Sequence, residues 1–582
     1  MIQRLLIANR GEIAVRIIRA CRELGVESIA VYSDADARAP HARLATRALP
    51  IGPAPAIQSY LSIPTIIEAA RQSQADAIHP GYGFLSENAA FAQACADSGL
   101  TFVGPPADVI ARMGSKIEAR RLMQDAGVPV VPGETPRDQS DAGVRDAIGR
   151  VGLPVLVKAS AGGGGKGMRH VHDAGEIDDA IQAARREAAA AFGDGTLYVE
   201  RLVERPHHVE VQVFGDDRGQ VVHLYERECS VQRRHQKVIE ESPSPILSES
   251  LRTRITDAAV TAARTVGYRN AGTIEFLVDL SADGSDHAAF YFLEMNTRLQ
   301  VEHPVTEQVT GLDLVRAQLL VASGEPLPWT QDAIHQRGHA IEARVYAEDP
   351  ANGFLPQAGT LLRYHEPQWP GVRIDSGVAP GSEVSIYYDP MMAKVIATAE
   401  TRDLATARLI VALRELDIAG LRTNVPFVVR VLATEAFRNG SIDTAFLDRE
   451  GEAIAVTINQ SAITQSPSIP NQSAIRNPQS SIRYDPWDGD ARLVRAARSD
   501  EPARRRAARA TPGQTLVAPM PATVLKIPVK AGDAVKKGDT VVVLEAMKME
   551  LPVRAPADGT VGAVRCREGE LVPADATLIE FS

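Results

Sequence analysis

The chain has 582 residues, and its 63 Lys and Arg residues against 73 Asp and Glu residues give a formal net charge of −10. This length is too great for one hydrophobic core, so we expect about three to five domains. The near balance of charge argues against nucleic-acid binding as the main task, and no apolar stretch approaches membrane-spanning length, so we expect neither kind of partner. The four cysteines lie far apart without metal-ligand spacing, which predicts a reduced, cytoplasmic protein.

The first hundred residues alternate between strand-like and helical patterns. Residues 2–8 are an apolar, strand-like run, and residues 14–21 then carry the apolar i, i+3, i+4, i+7 spacing of a helix that ends near Gly25. Further strands are predicted at 28–32, 75–79 and 101–104, and a helix at 63–71. Such alternation predicts a parallel, doubly wound sheet. The run N-R-G-E at residues 9–12 replaces the dinucleotide-binding glycine fingerprint, so the sheet is Rossmann-like without it.

A glycine-rich loop follows a strand in the next segment. Residues 153–157 are apolar, Lys158 follows, and residues 162–167 read G-G-G-G-K-G. Consecutive glycines are entropically costly, which favours a backbone that must approach a ligand closely. The loop is not a Walker A motif, because Gly167 follows the lysine where Ser or Thr would be required. A flexible linker is the alternative, but the loop lies between two predicted strands and resembles the mobile lid of ATP-grasp enzymes.

Carboxylates mark two later strands. Glu275 lies in the middle of the apolar run G-T-I-E-F-L-V-D-L. In Y-F-L-E-M-N-T-R-L-Q-V-E-H-P, five polar residues share one parity and would line one face if the chain stayed extended: Glu294, Asn296, Arg298, Gln300 and Glu302. Oxygen ligands from Glu275, Glu294 and Asn296 suit Mg²⁺, or Mn²⁺ in its place. A simply solvated strand face is the alternative.

The C-terminal region holds a lysine between two methionines. Residues 545–550 read E-A-M-K-M-E between two apolar runs, which predicts a hairpin with Lys548 at its tip. Methionines at an exposed tip indicate a surface that another protein reads, although an ordinary solvated lysine is the alternative. Upstream, residues 458–482 are rich in Ser, Asn, Gln, Pro and Ile and repeat N-Q-S-A-I, which predicts a disordered linker over residues 447–514.

Together these motifs resemble the α chain of biotin-dependent acyl-CoA carboxylases, the acetyl-, propionyl- and methylcrotonyl-CoA carboxylase family. E-A-M-K-M-E resembles the biotinyl domain of that family, whereas lipoyl domains of the same fold usually lack the second methionine. The resemblance implies a multidomain α/β and α+β fold that ends in an all-β domain. Its expected domains are a Rossmann-like pre-ATP-grasp domain (1–112), an ATP-grasp domain (113–330, mobile lid about 131–204), a C-terminal α+β carboxylase domain (331–446), a disordered linker (447–514) and an all-β biotinyl domain (515–582).

The resemblance also assigns roles to individual residues. Lys548 is expected to carry covalent biotin. The residues at ATP-binding positions of the family are Lys116, Lys158, Gly163, Gly164, Gly165, Gly167, Glu200, Val203, His208, Gln232 and His235. Arg298, Gln300, Val301 and Glu302 fall at bicarbonate-binding positions, and Arg344 falls where the family faces biotin. Lys237 would act with Arg298, Glu302 and Arg344 as a catalytic residue.

The implied function is carboxylation of the biotin on Lys548 with ATP and bicarbonate, followed by transfer to an acyl-CoA on a separate carboxyltransferase β subunit. A biotin protein ligase and a second copy of the chain are further expected partners. The folded subunit-binding domain of the long α chains is missing, apart from a short stub at residues 484–488, so docking to the β subunit does not carry over. Three alternatives remain open: another ATP-grasp ligase, a biotin-carrying protein with an inactive ATP site, and a component of a pyruvate or urea carboxylase.

Overall fold

The computed structural model describes residues 1–160, 168–234, 236–280, 286, 288–464, 515–547 and 549–582. The chain divides into two compact units, Met1–Ile458 and Asn459–Ser582. Several predictions fall outside the described residues: those on Gly163, Gly164, Gly165, Gly167, His235 and Lys548, on the stub at 484–488, and on most of the linker. In the described part of the chain, no helix is both long enough and apolar enough to cross a membrane.

The N-terminal part of the first unit is a parallel sheet with helices around it. Its elements are β1 (Arg4–Ile7), α1 (Gly11–Leu24), β2 (Glu27–Tyr32), α2 (Pro40–Leu44), β3 (Arg47–Pro50), α3 (Ile63–Ser73), β4 (Ala77–His79), α4 (Ala89–Asp97), β5 (Thr101–Phe102) and α5 (Ala107–Gly114). The strands pair in the order β3-β2-β1-β4-β5, all parallel. The predicted Rossmann-like sheet is confirmed, and Gly25 ends α1 with a left-handed φ of 69° that favours glycine.

The central part contains a small sheet and most of a larger one. Its elements are α6 (Lys116–Asp125), β6 (Gly133–Glu134), α7 (Asp141–Val151), β7 (Val155–Ala159), β8 (Arg169–Val171), α8 (Ile177–Phe192), β9 (Leu197–Arg201), β10 (His207–Gly215), β11 (Val221–Arg233), β12 (Gln236–Ser242), α9 (Glu249–Thr265), β13 (Asn270–Asp279), β14 (Ala289–Asn296), α10 (His303–Thr310) and α11 (Leu314–Ala322). The lid sheet pairs its strands in the order β6-β9-β7-β8. One face of this sheet packs against helices α7 and α8 in a separate hydrophobic core that includes Ile148, Val157 and Ile181.

The third part adds strands to the larger sheet. Its elements are β15 (His339–Tyr346), β16 (Glu348–Asp349), β17 (Leu355–Pro356), β18 (Gly359–Thr360), β19 (Arg363–His365), β20 (Val372–Ser376), β21 (Glu383–Val384), β22 (Met391–Ala399), α12 (Arg402–Glu415), β23 (Asp417–Ala419), α13 (Val425–Ala433), α14 (Glu435–Arg438) and α15 (Phe446–Thr464). Antiparallel pairing of β12 with β15 produces one eight-stranded sheet in the order β14-β13-β10-β11-β12-β15-β22-β20. This sheet therefore runs without a break across the domain boundary predicted at residue 331.

Helix α15 covers the start of the predicted linker. The sequence analysis began the disordered linker at residue 447, but the helix continues to Thr464. Phe446 and Leu447 are each 5% exposed, and Ala455 is 4% exposed. The start of the linker was thus predicted wrongly. The apolar residues on one face of this helix are buried, although the composition of the whole segment is polar.

The second unit begins with the last residues of α15, and its described part from residue 515 onward is all β-structure. Its strands are β24 (Thr515–Val517), β25 (Ala522–Lys526), β26 (Ala534–Val535), β27 (Thr540–Ala546), β28 (Met549–Arg554), β29 (Gly559–Val564), β30 (Leu571–Val572) and β31 (Thr577–Phe581). They form two four-stranded sheets, β24-β31-β29-β26 and β28-β27-β25-β30. The predicted all-β C-terminal domain is confirmed.

Candidate active site

Two of the expected nucleotide-binding residues meet on the lid sheet. Lys158 on β7 lies opposite Tyr198 on β9, and its Nζ is 2.5 Å from Oε2 of Glu200, two residues further along β9. The other oxygen of Glu200 accepts a hydrogen bond from Nη1 of Arg120 at 2.6 Å. Both side chains of the Lys158–Glu200 pair are buried. A buried lysine held by a single carboxylate is a fixed cation at which a phosphate group can bind.

Lys116 is a second cation of this region. It is the first residue of α6, a helix capped by Ser115. Burial, reinforced by Lys158 and opposed by Glu294, lowers the pKa of Lys116. An anionic ligand would restore the preference for the charged form, so this environment suits a phosphate.

Lys237 is the centre of a buried cluster of carboxylates. Its Nζ lies 2.6 Å from Glu210, 2.7 Å from Glu302 and 3.0 Å from Glu275. Burial alone would favour the neutral amine, but the three carboxylates outweigh it, and the pKa of Lys237 lies well above its usual value. Lys237 is therefore a permanent positive charge that links three strands and the turn before α10.

Glu302 lies between two cations. Its Oε1 contacts Lys237, and its Oε2 accepts a hydrogen bond from Nη2 of Arg344 at 3.0 Å. Burial would raise its pKa, but Lys237, Arg344 and Arg227 together hold the pKa of Glu302 well below its usual range. The carboxylate is thus fully ionised at neutral pH although its side chain is inaccessible to solvent.

Arg344 connects this cluster to the C-terminal part of the sheet. Its Nε donates to Oε1 of Glu240 at 2.5 Å, and its Nη2 reaches Glu302. Glu240 lies on β12 and Arg344 on β15, so the contact crosses the strand pair that joins the central and C-terminal parts. The guanidinium is held from two sides and points one edge at the Glu302 carboxylate.

The proposed magnesium ligands lie on two neighbouring strands. Glu275 on β13 pairs directly with Glu294 on β14, and Nδ2 of Asn296 donates to Oε1 of Glu275 at 2.8 Å. Like charges directly opposite each other are unfavourable in a sheet. Burial and the neighbouring Glu275 raise the pKa of Glu294. Two facing carboxylates and an amide therefore fit a divalent cation with oxygen ligands, which would relieve this repulsion.

Glu275 also approaches a histidine. Its Oε2 lies 3.0 Å from Nε2 of His208 on β10. Burial opposes protonation of the imidazole, but Glu275 outweighs it and raises the pKa of His208. The sequence analysis placed His208 among the ATP residues, and the structure places it beside the candidate metal ligands.

The segment after β14 is not extended, so the condition under which the five polar residues would line one face is not met. The strand ends at Asn296, and α10 begins at His303 with Pro304 in its first turn. Proline is favoured there because its missing N–H needs no helical partner. Three of the five polar residues nevertheless stay in contact, since Nη1 of Arg298 donates to Oε1 of Gln300 at 2.9 Å and Nη2 of Arg298 donates to Oδ1 of Asn296 at 3.3 Å.

The remaining predicted residues line the same region. Gln232 on β11 pairs with Lys237 across the β11–β12 ladder, and Val203 is buried after β9. The carbonyl oxygen of Val301 accepts a hydrogen bond from Nζ of Lys394 at 2.6 Å. Cys229 is buried, and burial raises the pKa of its thiol well above the usual value, so it is a neutral packing residue.

Sequence reasoning missed four charged residues of the cluster: Glu87, Glu210, Arg227 and Glu240. Glu87 accepts from Nε of Arg298 at 2.8 Å, and Arg227 donates to Glu210 at 2.5 Å with both side chains fully buried. A signal for Glu210 was present, because His208, Glu210 and Gln212 alternate with three valines along β10. Polar residues at every second position of a strand whose whole length is buried indicate a polar interior face.

The lysine hairpin of the second unit has the predicted form. Strands β27 and β28 are antiparallel, with Ala546 opposite Met549, so only Met547 and Lys548 connect them. Met547 adopts a left-handed φ of 51° and is 3% exposed. The expectation that this methionine lies exposed at the tip was therefore wrong, because the turn directs its side chain into the domain.

Four protein-family models match the chain. They are "Biotin carboxylase, N-terminal domain" at residues 1–110, "Carbamoyl-phosphate synthase L chain, ATP binding domain" at 115–330, "Biotin carboxylase C-terminal domain" at 342–449 and "Biotin-requiring enzyme" at 514–581. Their order along the chain defines an ATP-dependent ligase joined to a biotinyl domain.

Similar proteins narrow this class. The α subunit of mitochondrial methylcrotonoyl-CoA carboxylase from Rattus norvegicus is 41% identical over 674 residues, covering 100% of this chain and 93% of the rat protein. The corresponding Glycine max subunit is 51% identical over 460 residues, covering 79% of this chain but only 62% of the soybean protein. Biotin carboxylase 2 of Bacillus subtilis is 51% identical over 448 residues, which are 77% of this chain and 99% of the bacterial protein. The chain belongs to the biotin carboxylase family.

Solved structures agree with this assignment. The biotin carboxylase domain dimer of Hydrogenobacter thermophilus 2-oxoglutarate carboxylase, in complex with MgADP, ADP and bicarbonate, matches with a TM-score of 0.74 and 41% identity, covering 78% of this chain and 99% of that one. A Campylobacter jejuni biotin carboxylase–ATP complex matches with a TM-score of 0.74 and 45% identity over 77% of this chain and 99% of that one. The expected resemblance is confirmed: this is an ATP-dependent biotin carboxylase with its own biotin carrier domain, and biotin, ATP and magnesium are its cofactors and substrate.

Proposed function

We propose that this chain is the α subunit of an acyl-CoA carboxylase of the methylcrotonoyl-CoA type. It carboxylates biotin on Lys548 with ATP and bicarbonate and delivers the carboxyl group to a separate carboxyltransferase. The observation that carries the first half-reaction is the buried cluster in which Lys237 and Arg344 hold Glu302 ionised. The alignment of the whole chain with the rat methylcrotonoyl-CoA carboxylase subunit supports the choice of acyl-CoA.

The nucleotide residues supply fixed positive charge. Lys116 and Lys158 would contact ATP phosphates, and the glycine loop of Gly163, Gly164, Gly165 and Gly167 would close over them. Glu200 holds Lys158 in place through a contact of 2.5 Å, and Val203, Gln232 and His235 would complete the proposed nucleotide pocket. His208 would act through Glu275, which its Nε2 approaches.

Glu275, Glu294 and Asn296 would hold magnesium. When bound, the metal would offset the negative charge that accumulates during phosphoryl transfer. Glu294 fits this role because it faces Glu275, and Lys116 only partly opposes the rise in its pKa that burial and Glu275 cause. The chain's own contribution is to keep both carboxylates in place on adjacent strands.

Glu302 would be the general base toward bicarbonate, with Arg298, Gln300 and Val301 holding the anion. A carboxylate whose pKa is well below its usual range is a weak base, so its basicity must rise during the reaction. Lys237 provides the means, because phosphate oxygens of bound ATP compete with Glu302 for its ammonium group. As Lys237 turns toward the nucleotide, Glu302 loses a stabilising cation and becomes able to accept the bicarbonate proton.

Arg344 would stabilise the enolate form of the biotin ureido group. Its guanidinium already donates a hydrogen bond to Glu302, the proposed base toward bicarbonate. The bicarbonate and biotin subsites would therefore be adjacent. Fixed donors aimed at developing negative charge stabilise it without reorganisation during the reaction. Bicarbonate oxygen would attack the γ-phosphoryl group of ATP and release ADP, and the resulting carboxyphosphate would break to CO₂ and phosphate. The phosphate would take the N1′ proton of biotin, and N1′ would then attack CO₂ beside this arginine.

Three partners follow from this function. A biotin protein ligase would modify Lys548, which stands in the sequence between the described ends of the β27–β28 hairpin, Met547 and Met549. A β subunit would provide the carboxyltransferase. The aligned length with the rat subunit, 674 positions, exceeds the 582 residues of this chain, so the rat protein contains residues that this chain lacks. Docking to the β subunit must therefore use other surfaces.

We further propose that the chain associates with a second copy of itself. We also propose that the protein is located in the cytoplasm. The related Hydrogenobacter domain is described as a dimer, which supports the first proposal. All four cysteines are buried free thiols, which supports a reducing compartment.

The first test is the mass of the intact protein after co-expression with a biotin ligase. We expect one added biotin, located by peptide mapping at Lys548, and none in the Lys548→Arg variant. An unmodified Lys548 would contradict the carrier role.

The second test pairs the biotinylated chain with candidate carboxyltransferase subunits. ATP-dependent incorporation of labelled bicarbonate is then measured with acetyl-, propionyl- and methylcrotonoyl-CoA. We expect the highest kcat/KM with methylcrotonoyl-CoA. A clear preference for another acyl-CoA would refute the proposed acceptor and leave biotin carboxylation intact.

A further inference from the structure

Two carboxylates face each other across the strand pair β12–β15. Glu240 and Glu342 are directly opposite in the antiparallel register, and both are fully buried. Directly opposite residues project from the same face of a sheet and lie close together. Glu240 uses one oxygen, Oε1, to accept from Nε of Arg344. Among the described residues, Oε2 of Glu240 and both oxygens of Glu342 have no hydrogen-bond partner.

The surrounding cations do not neutralise both groups. Arg344 is shared between Glu240 and Glu302. Lys394, on the next strand, lies 3.2 Å from Glu12 and donates to the carbonyl oxygen of Val301 at 2.6 Å. Two buried carboxylates without enough cations are far more stable when they bind one proton between them.

The same conclusion follows from the electrostatic surroundings of each group. Burial, opposed by Lys394 and reinforced by Glu240, raises the pKa of Glu342 well above its usual value. Burial, opposed by Arg344 and reinforced by Glu302, raises the pKa of Glu240 to about 7. Among the described residues, the charged or titratable groups that interact with the pair are Arg344 and Tyr346 on β15, Lys237 on β12, Lys394 on β22, Cys229 on β11, Tyr82 after β4 and Glu302 before α10.

We propose that Glu240 and Glu342 share a single proton and act as a positioning pair that fixes Arg344 opposite Glu302. The proposal deepens the proposed function, since it assigns a role toward Arg344 in the same site. With the proton on Glu342, the charge of the pair remains on Glu240, which holds Nε of the guanidinium. Nη2 is then left to face Glu302 and the reacting groups.

The other two protonation states disturb this geometry. A second proton removes the charge on Glu240 and weakens its hold on Arg344. Loss of the shared proton adds a second negative charge, which draws the guanidinium away from Glu302. Activity is therefore expected to require the singly protonated pair.

The experiment measures bicarbonate-dependent ATP hydrolysis with free biotin as a function of pH, using the full-length chain. Glu240→Gln should lower kcat about 100-fold through misplacement of Arg344, leave KM for ATP unchanged, and remove the acidic fall of kcat near pH 7. Glu342→Gln cannot ionise, so the alkaline fall caused by its deprotonation should disappear.

Glu241→Gln is the matched control. Glu241 is the next residue of β12, is also buried, and accepts hydrogen bonds from His339 and Arg402. This variant should lose stability without a change in the pH profile of kcat. If Glu240→Gln behaves like this control, the positioning role is refuted.

Infrared spectroscopy provides an independent measurement. The wild-type protein at neutral pH should show the carbonyl stretch of a buried protonated carboxyl group, and Glu342→Gln should lose it. An unchanged spectrum would refute the shared proton. The infrared measurement does not depend on turnover. If the wild-type chain showed no bicarbonate-dependent ATP hydrolysis, the proposed function would be refuted. The infrared difference between the wild type and Glu342→Gln would still decide whether the pair is protonated.

Discussion

At the scale of single residues, this site is built from buried charges that neutralise one another. Lys237 meets three carboxylates and Arg344 meets two, while Arg227 and His208 each meet one. Removing one partner of a buried ion pair leaves the other uncompensated, which is strongly destabilising. Variants of this cluster must therefore be interpreted with folding and activity measured side by side.

Replacement of the proposed base tests its role directly. We expect Glu302→Gln to lower the rate of biotin carboxylation by about 10²- to 10⁴-fold, because the amide cannot accept the bicarbonate proton. The measurement is carboxybiotin formation from labelled bicarbonate and free biotin. Circular dichroism and ATP binding serve as controls for folding. A variant that folds and carboxylates biotin at the wild-type rate would exclude Glu302 as the base.

His79, at the end of β4, should make the protein sensitive to acid. Its Nδ1 accepts from the backbone N–H of Gly81 at 3.0 Å and its Nε2 lies 3.2 Å from Oε1 of Gln318, an arrangement that requires the neutral ring. Burial lowers the pKa of His79 from 6.5 to about 4. The unfolded chain therefore binds the proton first, and stability is lost as pH falls from 6.5 toward 4.

At pH 5 this single residue should cost about 2 kcal/mol of unfolding free energy relative to pH 7.5. Urea denaturation at the two pH values measures it. His79→Gln keeps both hydrogen bonds without a titrating ring and should show a correspondingly smaller pH dependence. The same substitution at exposed His365 should leave the pH dependence unchanged; equal behaviour of the two variants would contradict the prediction.

At the scale of structural elements, the sequence predicted the type of each helix or strand better than the contacts between residues far apart in the chain. The strands and helices of the N-terminal sheet, the strand that carries Glu275 and the lysine hairpin were all foreseeable from periodicity. The turn after β14 was not, because parity assumes an extended chain. Contacts such as Arg298 with Glu87, 211 residues apart, depend on tertiary packing that local patterns do not contain.

The lysine hairpin depends on its buried methionine. Met547→Ala should destabilise the second unit by about 2–5 kcal/mol, because it removes a large apolar side chain from a packed site. Denaturant unfolding followed by a probe within the unit measures the loss. Leu525→Ala, at a position that is 43% exposed, is the control and should have a much smaller effect. Equal effects would show that Met547 contributes no more than a surface residue.

At the scale of the whole molecule, the two units should function separately when biotin is supplied in solution. A chain truncated after residue 464 retains every described catalytic candidate of the first unit, and the Bacillus biotin carboxylase aligns over 99% of its length with 77% of this chain. We expect the truncated chain to carboxylate free biotin and to incorporate none covalently. Loss of bicarbonate-dependent ATP hydrolysis on truncation would show that the second unit supports the first.

The eight-stranded sheet limits where the first unit can move. Hydrogen bonds from residues 239–242 on β12 to residues 340–343 on β15 join the central and C-terminal parts, so relative rotation of these parts would break a continuous ladder. The distance between Glu240 on β12 and Arg344 on β15 is thus set when the chain folds. Lys158 belongs to the separate lid sheet, which is not part of this ladder. The backbone of the half of the site that handles bicarbonate and biotin is therefore rigid in the absence of nucleotide, and the adjustment of this half to ATP is confined to side chains such as Lys237.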